Sequence, residues 1–306
     1  MEILLGKWFS ISKREQIGSK ITRRQINMKP LDLNQELLNK VHRIQLENAL
    51  EVKRICDLHQ IKYFIIAGTL LGAVRHNGFI PWDDDLDIGM LRDDYERFVE
   101  ICETELSNKY FLQTWHTDHG FGLPFAKLRR NSTKYIEMNS ANIGGHKGVF
   151  IDIFPFDNVP SNIFSQKLQD FNLRIFKRLL LQKLGYETNI ENSLLRGCLY
   201  KCIDICIITM STNKIKICFE KHMKKYNNLK QEFIITFGGT YGYRREMIRR
   251  EWIDDLTTIN FEGVQFPCPR AYNEYLTHFY GDYMTFPPES ERYNRHGIIE
   301  IYFGDE

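Results

Sequence analysis

FIIAGTLLGAVRHNGFIPWDDDLDIGM, Phe64 to Met90, reads as strand, tight turn, short helix, loop and a second strand that carries carboxylates. Residues 63–67 form an apolar run of strand length, closed by Gly68. Thr69 is placed to cap the helix that follows, with Leu70, Leu71 and Val74 as its buried side. Gly78 is expected to end that helix, and Pro81 to straighten the chain into the second strand. Strand side chains alternate, so Asp83, Asp85 and Asp87 are expected on one face while Leu86 and Ile88 enter a core. Three carboxylates on one face repel one another unless a cation sits among them. The small-residue turn just upstream, at a helix N-terminus, suits an anion such as phosphate. The stretch therefore points to a metal and a phosphate held side by side.

Upstream, residues 31–59 carry Leu37, Leu38, Val41, Ile44, Leu46, Leu50 and Ile55 near helical spacing. Residues 1–30 form a basic arm with Lys13, Arg14, Lys20, Arg23 and Arg24, read either as loosely held or as a contact for an anionic membrane surface or polymer. Downstream, Asp93 and Glu96 have the form of a capping box for a helix to about residue 106, buried through Tyr95, Phe98, Val99 and Cys102. Residues 110–116 and 121–128 read as strands, the second leading through Lys127 into Arg129 and Arg130. A third acidic strand is expected at residues 148–154, GVFIDIF, where Asp152 shares a face with Phe150 and Phe154. An Asp between two Phe is costly unless it is paired or bound to metal.

From residue 160 the character changes. Residues 163–183 and 194–226 look helical, and the chain from residue 237 is rich in aromatics and glycine. Cys198, Cys202 and Cys206 share one helix face. Zinc sites draw paired ligands from two segments, so these three read as small buried hydrophobes. The expected division is a basic arm (1–30), a catalytic core (31–160) and a helical, aromatic-rich C-terminal region (161–306) that completes the cleft. Charge is nearly balanced, 41 Lys plus Arg against 39 Asp plus Glu, so no global field argues for nucleic acid. Seven cysteines without a secretory signal fit a reduced, cytoplasmic setting. The best membrane candidate, residues 198–210, contains Lys201 and Asp204 and is too short to span a bilayer.

A calcium loop starting at Asp83 would need Gly sixth and Glu twelfth, where Ile88 and Asp94 stand. A plain acidic surface run would not require the glycine turn beside it or Asp152 further on. Metal-dependent phosphoryl or nucleotidyl transfer accounts for all three features. At this point GTLLGAVRHNGFIPWDDDLDIGM, GVFIDIFPFD and YGDYMTFPPESERYNRH resemble the motifs of the LicD family, the bacterial phosphocholine transferases related to fukutin and fukutin-related protein. The resemblance covers roughly residues 31–296.

That resemblance implies an α+β, nucleotidyltransferase (polymerase-β-like) fold, a mixed sheet with flanking helices. It implies transfer of a phospho-alcohol, with phosphocholine favoured, from CDP-choline or another CDP-alcohol to a hydroxyl of a glycan or a lipid-linked oligosaccharide, releasing CMP. The family's Gly–Ser/Thr turn falls on Gly68 and Thr69, and its paired metal carboxylates fall on Asp85 and Asp87, for Mg²⁺ or Mn²⁺. Asp152 matches a third strand carboxylate, as metal ligand or as base. Arg75, Lys127 and Arg129 are candidates to neutralise phosphate charge, against a reading as ordinary surface cations. His76 and His296 read as supporting residues. Tyr241, Tyr243, Trp252, Tyr272, Tyr275, Tyr280 and Tyr283 supply faces for a choline box, or else pack a C-terminal core. Two rivals share the fold: an antibiotic-type enzyme that transfers NMP and releases pyrophosphate, and a scaffold without catalysis.

Overall fold

A computed structural model describes residues 30–186, 210–294 and 296–304. The first helix, α1 (Gln35–His59), starts at Asn34, whose side chain accepts from the Leu37 N–H, and stops at Gln60 in the left-handed conformation. There follow β1 (Phe64–Ile65), α2 (Ala67–His76), β2 (Asp87–Leu91), α3 (Arg92–Glu105), β3 (Tyr110–Gln113), β4 (Ala126–Arg130), β5 (Lys134–Glu137) and β6 (Phe150–Asn158). The remainder comprises α4 (Ile163–Leu184), α5 (Thr212–Met223), β7 (Phe233–Ile235), α6 (Tyr243–Glu246), β8 (Met247–Arg249) and α7 (Glu251–Asp254). It ends with β9 (Leu256–Phe261), β10 (Val264–Pro269), α8 (Tyr272–Tyr280) and β11 (Ile298–Tyr302).

Seven strands form one mixed sheet, running β1-β2-β6-β4-β3, with β7 on the far end of β6 and β8 beside β7. Within it β2 and β6 are parallel and the other pairs antiparallel. Its main core joins α1, α2, α3 and the β9–β10 hairpin through residues such as Val52, Ile55, Leu70, Ile88, Phe98, Ile153 and Phe261. The sequence at residues 256–269 builds that hairpin around Glu262 and Gly263, both at positive φ (53° and 79°), where glycine costs nothing. The hairpin's Glu262 accepts from the Phe79 N–H at 3.0 Å, which fixes the loop leaving α2.

Several local expectations shift. The strand at residues 63–67 is two residues long, because the chain turns at Ala67 (φ 48°) straight into α2. Ile66, not Thr69, is the N-cap of α2, and Asn77 ends it with φ 56° one residue before Gly78. No capping box forms at Asp93 and Glu96, because β2 passes directly into α3 at Arg92. Arg92 instead lies buried and makes two bonds to Asp157, at 2.8 and 2.6 Å. The strands expected at 110–116 and 121–128 are β3 and β4, separated by a turn in which Thr114 and Thr117 bond each other. The strand expected at 148–154 runs on to Asn158, because β7 pairs with its end.

The C-terminal region also contributes strands. β7 and β8 extend the main sheet, and β11 pairs with β5. The basic arm up to residue 29 and the three cysteines at 198, 202 and 206 lie outside the described residues. Of the helix expected at 194–226, the described part is α5 with a final turn to Tyr226. No described helix is long and apolar enough to cross a membrane.

Candidate active site

Sheet register assembles the site. The parallel β2–β6 pair sets Asp87 beside Asp152, and the antiparallel β6–β4 pair sets Lys127 opposite Asp152. Neighbours in register point to the same face, so the three side chains form a row across the sheet. Lys127 Nζ lies 2.9 Å from Asp152 Oδ1 and 3.3 Å above the centre of the Phe150 ring. Phe150 and Phe154 do share the face of Asp152 by alternation, and the costly Asp between them is paired, to Lys127.

The other acids come from the loop that enters β2. They were expected on a strand, but the strand begins only at Asp87. The loop is held from behind by α1: His42 Nε2 bonds the Asp83 carbonyl and Gln45 Nε2 donates to the Asp84 carbonyl, each at 2.7 Å. Thr69 supplies a tie rather than a cap, its hydroxyl accepting from the Asp87 N–H at 2.7 Å. Gly68 faces the acids: a Cβ there would stand 2.9 Å from Asp83 Oδ2 and 4.0 Å from Asp85 Oδ1. The N-terminal turn of α2 therefore meets carboxylates over a bare backbone.

Asp84 turns the other way. It is buried, accepts from the Tyr135 hydroxyl, and lies 2.5 Å from His296 Nδ1. The other nitrogen of His296 is 3.5 Å from Asp85 Oδ2. A chain of polar contacts thus runs Tyr135–Asp84–His296–Asp85 and brings the C-terminal segment to the acidic loop. Sequence reading found His296 but missed its partners. The signal was available in Gln45 and Asn48, two amides on the apolar side of α1, both buried and bonded to backbone carbonyls.

Electrostatics separate the acids. Burial, then the charges of Asp83 and Asp87, push the Asp85 carboxyl well above the usual range. Burial, then Asp152 and Asp83, do the same to Asp87. Burial raises Asp152 as well, while Lys127 opposes the rise. Burial disfavours charge on Asp84 and His296 alike. Their mutual attraction overcomes it, holding Asp84 below and His296 well above their ordinary values. Carboxylate oxygens that cannot all ionise together suit a hard divalent cation. Among the described residues no group of three or more His, Cys, Asp or Glu side chains is arranged to hold a metal ion. Mg²⁺ in phosphate-transfer sites characteristically takes one or two carboxylates and completes its shell with substrate phosphate and water. Asp85 and Asp87 fit that donor set.

The remaining candidates divide. Arg129 does share the face of Lys127, but it is buried against Phe150, donates to Gln113, and donates to the Gly148 carbonyl at 2.7 Å. Those bonds brace β4. Arg75 lies at the end of α2 with its guanidinium 4.0 Å from the Phe286 ring, and no ion pair joins it to the acids. Tyr275 reaches the turn of α2, its hydroxyl 3.4 Å from the Ala67 N–H, and Tyr241, Phe279 and Tyr280 pack beside it. Tyr243 instead donates to Gln169, Trp252 packs on His278, and Tyr283 donates to Asn273. A hollow of 260 Å³ between α3 and α5 contains none of the four acids, and its Glu96, Glu220 and Lys224 already pair with one another.

Residues 60–185, which carry the acidic loop, Lys127 and Asp152, match the family model described as LicD/FKTN/FKRP, nucleotidyltransferase domain. The lipopolysaccharide cholinephosphotransferase LicD of Haemophilus influenzae is 30% identical over 277 residues, 90% of this chain and 99% of that protein. The human ribitol 5-phosphate transferase FKRP is 40% identical over 57 residues, 19% of this chain and 11% of that protein. An uncharacterized protein of Rickettsia typhi is 48% identical over 69 residues, 20% of this chain and 22% of its own length. On a likeness that runs nearly end to end with the Haemophilus protein, the chain belongs to the LicD family.

Proposed function

We propose that this protein is a metal-dependent phosphotransferase that moves a phospho-alcohol from a CDP-activated donor onto a hydroxyl of a glycan or its lipid-linked precursor, releasing CMP. The observation that carries this reading is the row Asp87–Asp152–Lys127, with Asp85 and Asp83 set against the N-terminal turn of α2. We read the sheet as the polymerase-β-like nucleotidyltransferase arrangement, with acids on neighbouring strands and a glycine turn beside them. The relatives' names support transfer of a phospho-alcohol, one of choline phosphate in connection with lipopolysaccharide and one of ribitol 5-phosphate. Asp85 and Asp87 would hold one or two Mg²⁺ or Mn²⁺ ions, which when bound offset the charge on the donor's diphosphate.

The chain's own residues do the rest. The N–H groups at Gly68 and Thr69 face the donor phosphates. Lys127 neutralises Asp152 at rest and is placed to shift toward a phosphate oxygen as charge builds there. Asp152, freed of that pair, takes the proton of the acceptor hydroxyl or joins the ligands. The incoming hydroxyl attacks the phosphorus bearing the alcohol, and the bond to CMP breaks with no phosphorylated enzyme between. Choline is the alcohol we favour, because Tyr241, Tyr275, Phe279 and Tyr280 form an aromatic group whose Tyr275 and Tyr280 feel the charge of Asp87. The test is a panel of CDP-choline, CDP-glycerol and CDP-ribitol with CMP release as readout. CDP-choline should turn over fastest, and Tyr280→Ala should raise its KM more than that of CDP-glycerol. Pyrophosphate release in place of CMP would favour the NMP-transferring rival.

A further inference from the structure

At the far end of α2 two arginines and a histidine, which burial and Arg75 hold toward its neutral form, sit together with no acid paired to them among the described residues. Arg75 lies over the Phe286 ring at 4.0 Å, and Arg292 lies 5.5 Å from the same ring and 5.5 Å from that of Trp82. His76 closes the group, edge-on to Trp82 at 6.2 Å and to Phe286 at 5.5 Å. Nε and Nη2 of Arg75 and Nε2 of His76 are buried with no hydrogen-bond partner among the described residues. The charged neighbour acting on Arg75 is Arg292, and the two repel. Arg292 is held in place by a bond from its Nε to the Pro287 carbonyl at 2.8 Å. The C-terminal dipole of α2 favours cations at this end, but it explains neither the buried unpaired donors nor the second arginine brought in from residue 292.

We propose that Arg75, His76 and Arg292 form a phosphate-binding site, separate from the acids and built to take a phosphate group carried by a substrate. Two guanidinium forks set beside the same aromatic ring offer donors that match the oxygens of a tetrahedral phosphate. Trp82 immediately precedes Asp83, and the helix rise places Arg75 about 10 Å along α2 from Gly68. One substrate can therefore reach both sites. The choice of a phosphorylated substrate rests on the function proposed above. The phosphate belongs either to the donor or to the acceptor, and the chemistry is the same.

The direct test is calorimetric titration of the full chain with inorganic pyrophosphate, without divalent metal. The wild-type protein should bind it. Arg75→Gln and Arg292→Gln should each weaken binding on the order of tenfold, and Arg75→Lys should restore part of the loss. Asp85→Asn should bind at least as tightly as wild type, because it lacks only a repelling charge. Thermal melts of Arg292→Gln, whose side chain is only half-buried, verify that the fold is intact. Pyrophosphate affinity unchanged in both glutamine variants would overturn the proposal, as would binding that depends on Asp85 but on neither arginine. This measurement needs no turnover, so it can fail or succeed independently of the transferase reading. In a turnover assay, a raised KM for CDP-choline assigns the phosphate to the donor, a raised KM for the glycan assigns it to the acceptor, and no change in either contradicts the site.

Discussion

Asp85 and Asp87 have the same chemistry as Asp84 just before them, and burial disfavours charge on all three, yet their neighbours drive them in opposite directions. For Asp85 and Asp87 the folded-state value is raised. The folded protein therefore retains protons that the unfolded chain has already released, and stability falls as pH rises through that window. Metal-free protein should melt at progressively lower temperature as pH rises above the ordinary carboxylate range, with Mg²⁺ recovering the loss and Asp85→Asn flattening the slope; scanning fluorimetry across pH with and without chelator checks this. Asp85→Asn and Asp87→Asn should each cut turnover by about 10³-fold or more with the fold intact. Near-normal activity in either would remove the metal assignment. Lys127 and Arg129, expected to act together, should now separate. Lys127→Ala should lose activity and keep most stability, whereas Arg129→Ala should lose about 2 kcal/mol or more of stability, because two buried bonds go with it. Chemical denaturation alongside kinetics tells them apart. The acids were legible because spacing and a glycine turn are local signals. The pairing of Asp84 with Tyr135 and His296 was not, because it joins positions 51 and 212 residues apart.

At the scale of elements, what the sequence missed is mostly what one element does for another. The helix at residues 31–59 was readable from its apolar spacing, but its buried Gln45 and Asn48 are there to hold carbonyls of the acidic loop and of β4. Similarly, Arg92 begins α3 as a buried ion and ties the end of β2 to Asp157 near the end of β6. Breaking one partner of such a pair leaves the other charge buried. Arg92→Ala should therefore cost about 3–5 kcal/mol, and a joint Arg92→Met, Asp157→Leu replacement should cost clearly less. Equilibrium unfolding of the three proteins measures it, and equal losses in the single and double variants would contradict it. Cap positions were misread at α2 and α3 because strands run straight into both helices, leaving no residue free to cap them.

Over the whole molecule, three hydrophobic clusters organise the described residues, and the row Asp87–Asp152–Lys127 lies where the sheet core meets the cluster of Val41, Tyr135, Phe150 and Ile298. That third cluster requires β11 to return and pair with β5, a contact that no local pattern announces. The mixed sheet and its acids could be read from sequence because alternation and turns are short-range. The C-terminal region read as helical in part because β7 and β8 are three residues each, too short to show alternation. We keep the division into arm, core and C-terminal region as a proposal about folding units. The claim at the centre is the transfer itself, and its direct measurement is product analysis with a donor labelled separately in the alcohol phosphate and in the cytidine. The account predicts alcohol-phosphate label on the glycan with equimolar labelled CMP in solution. Cytidine label on the glycan, with pyrophosphate released, would contradict it.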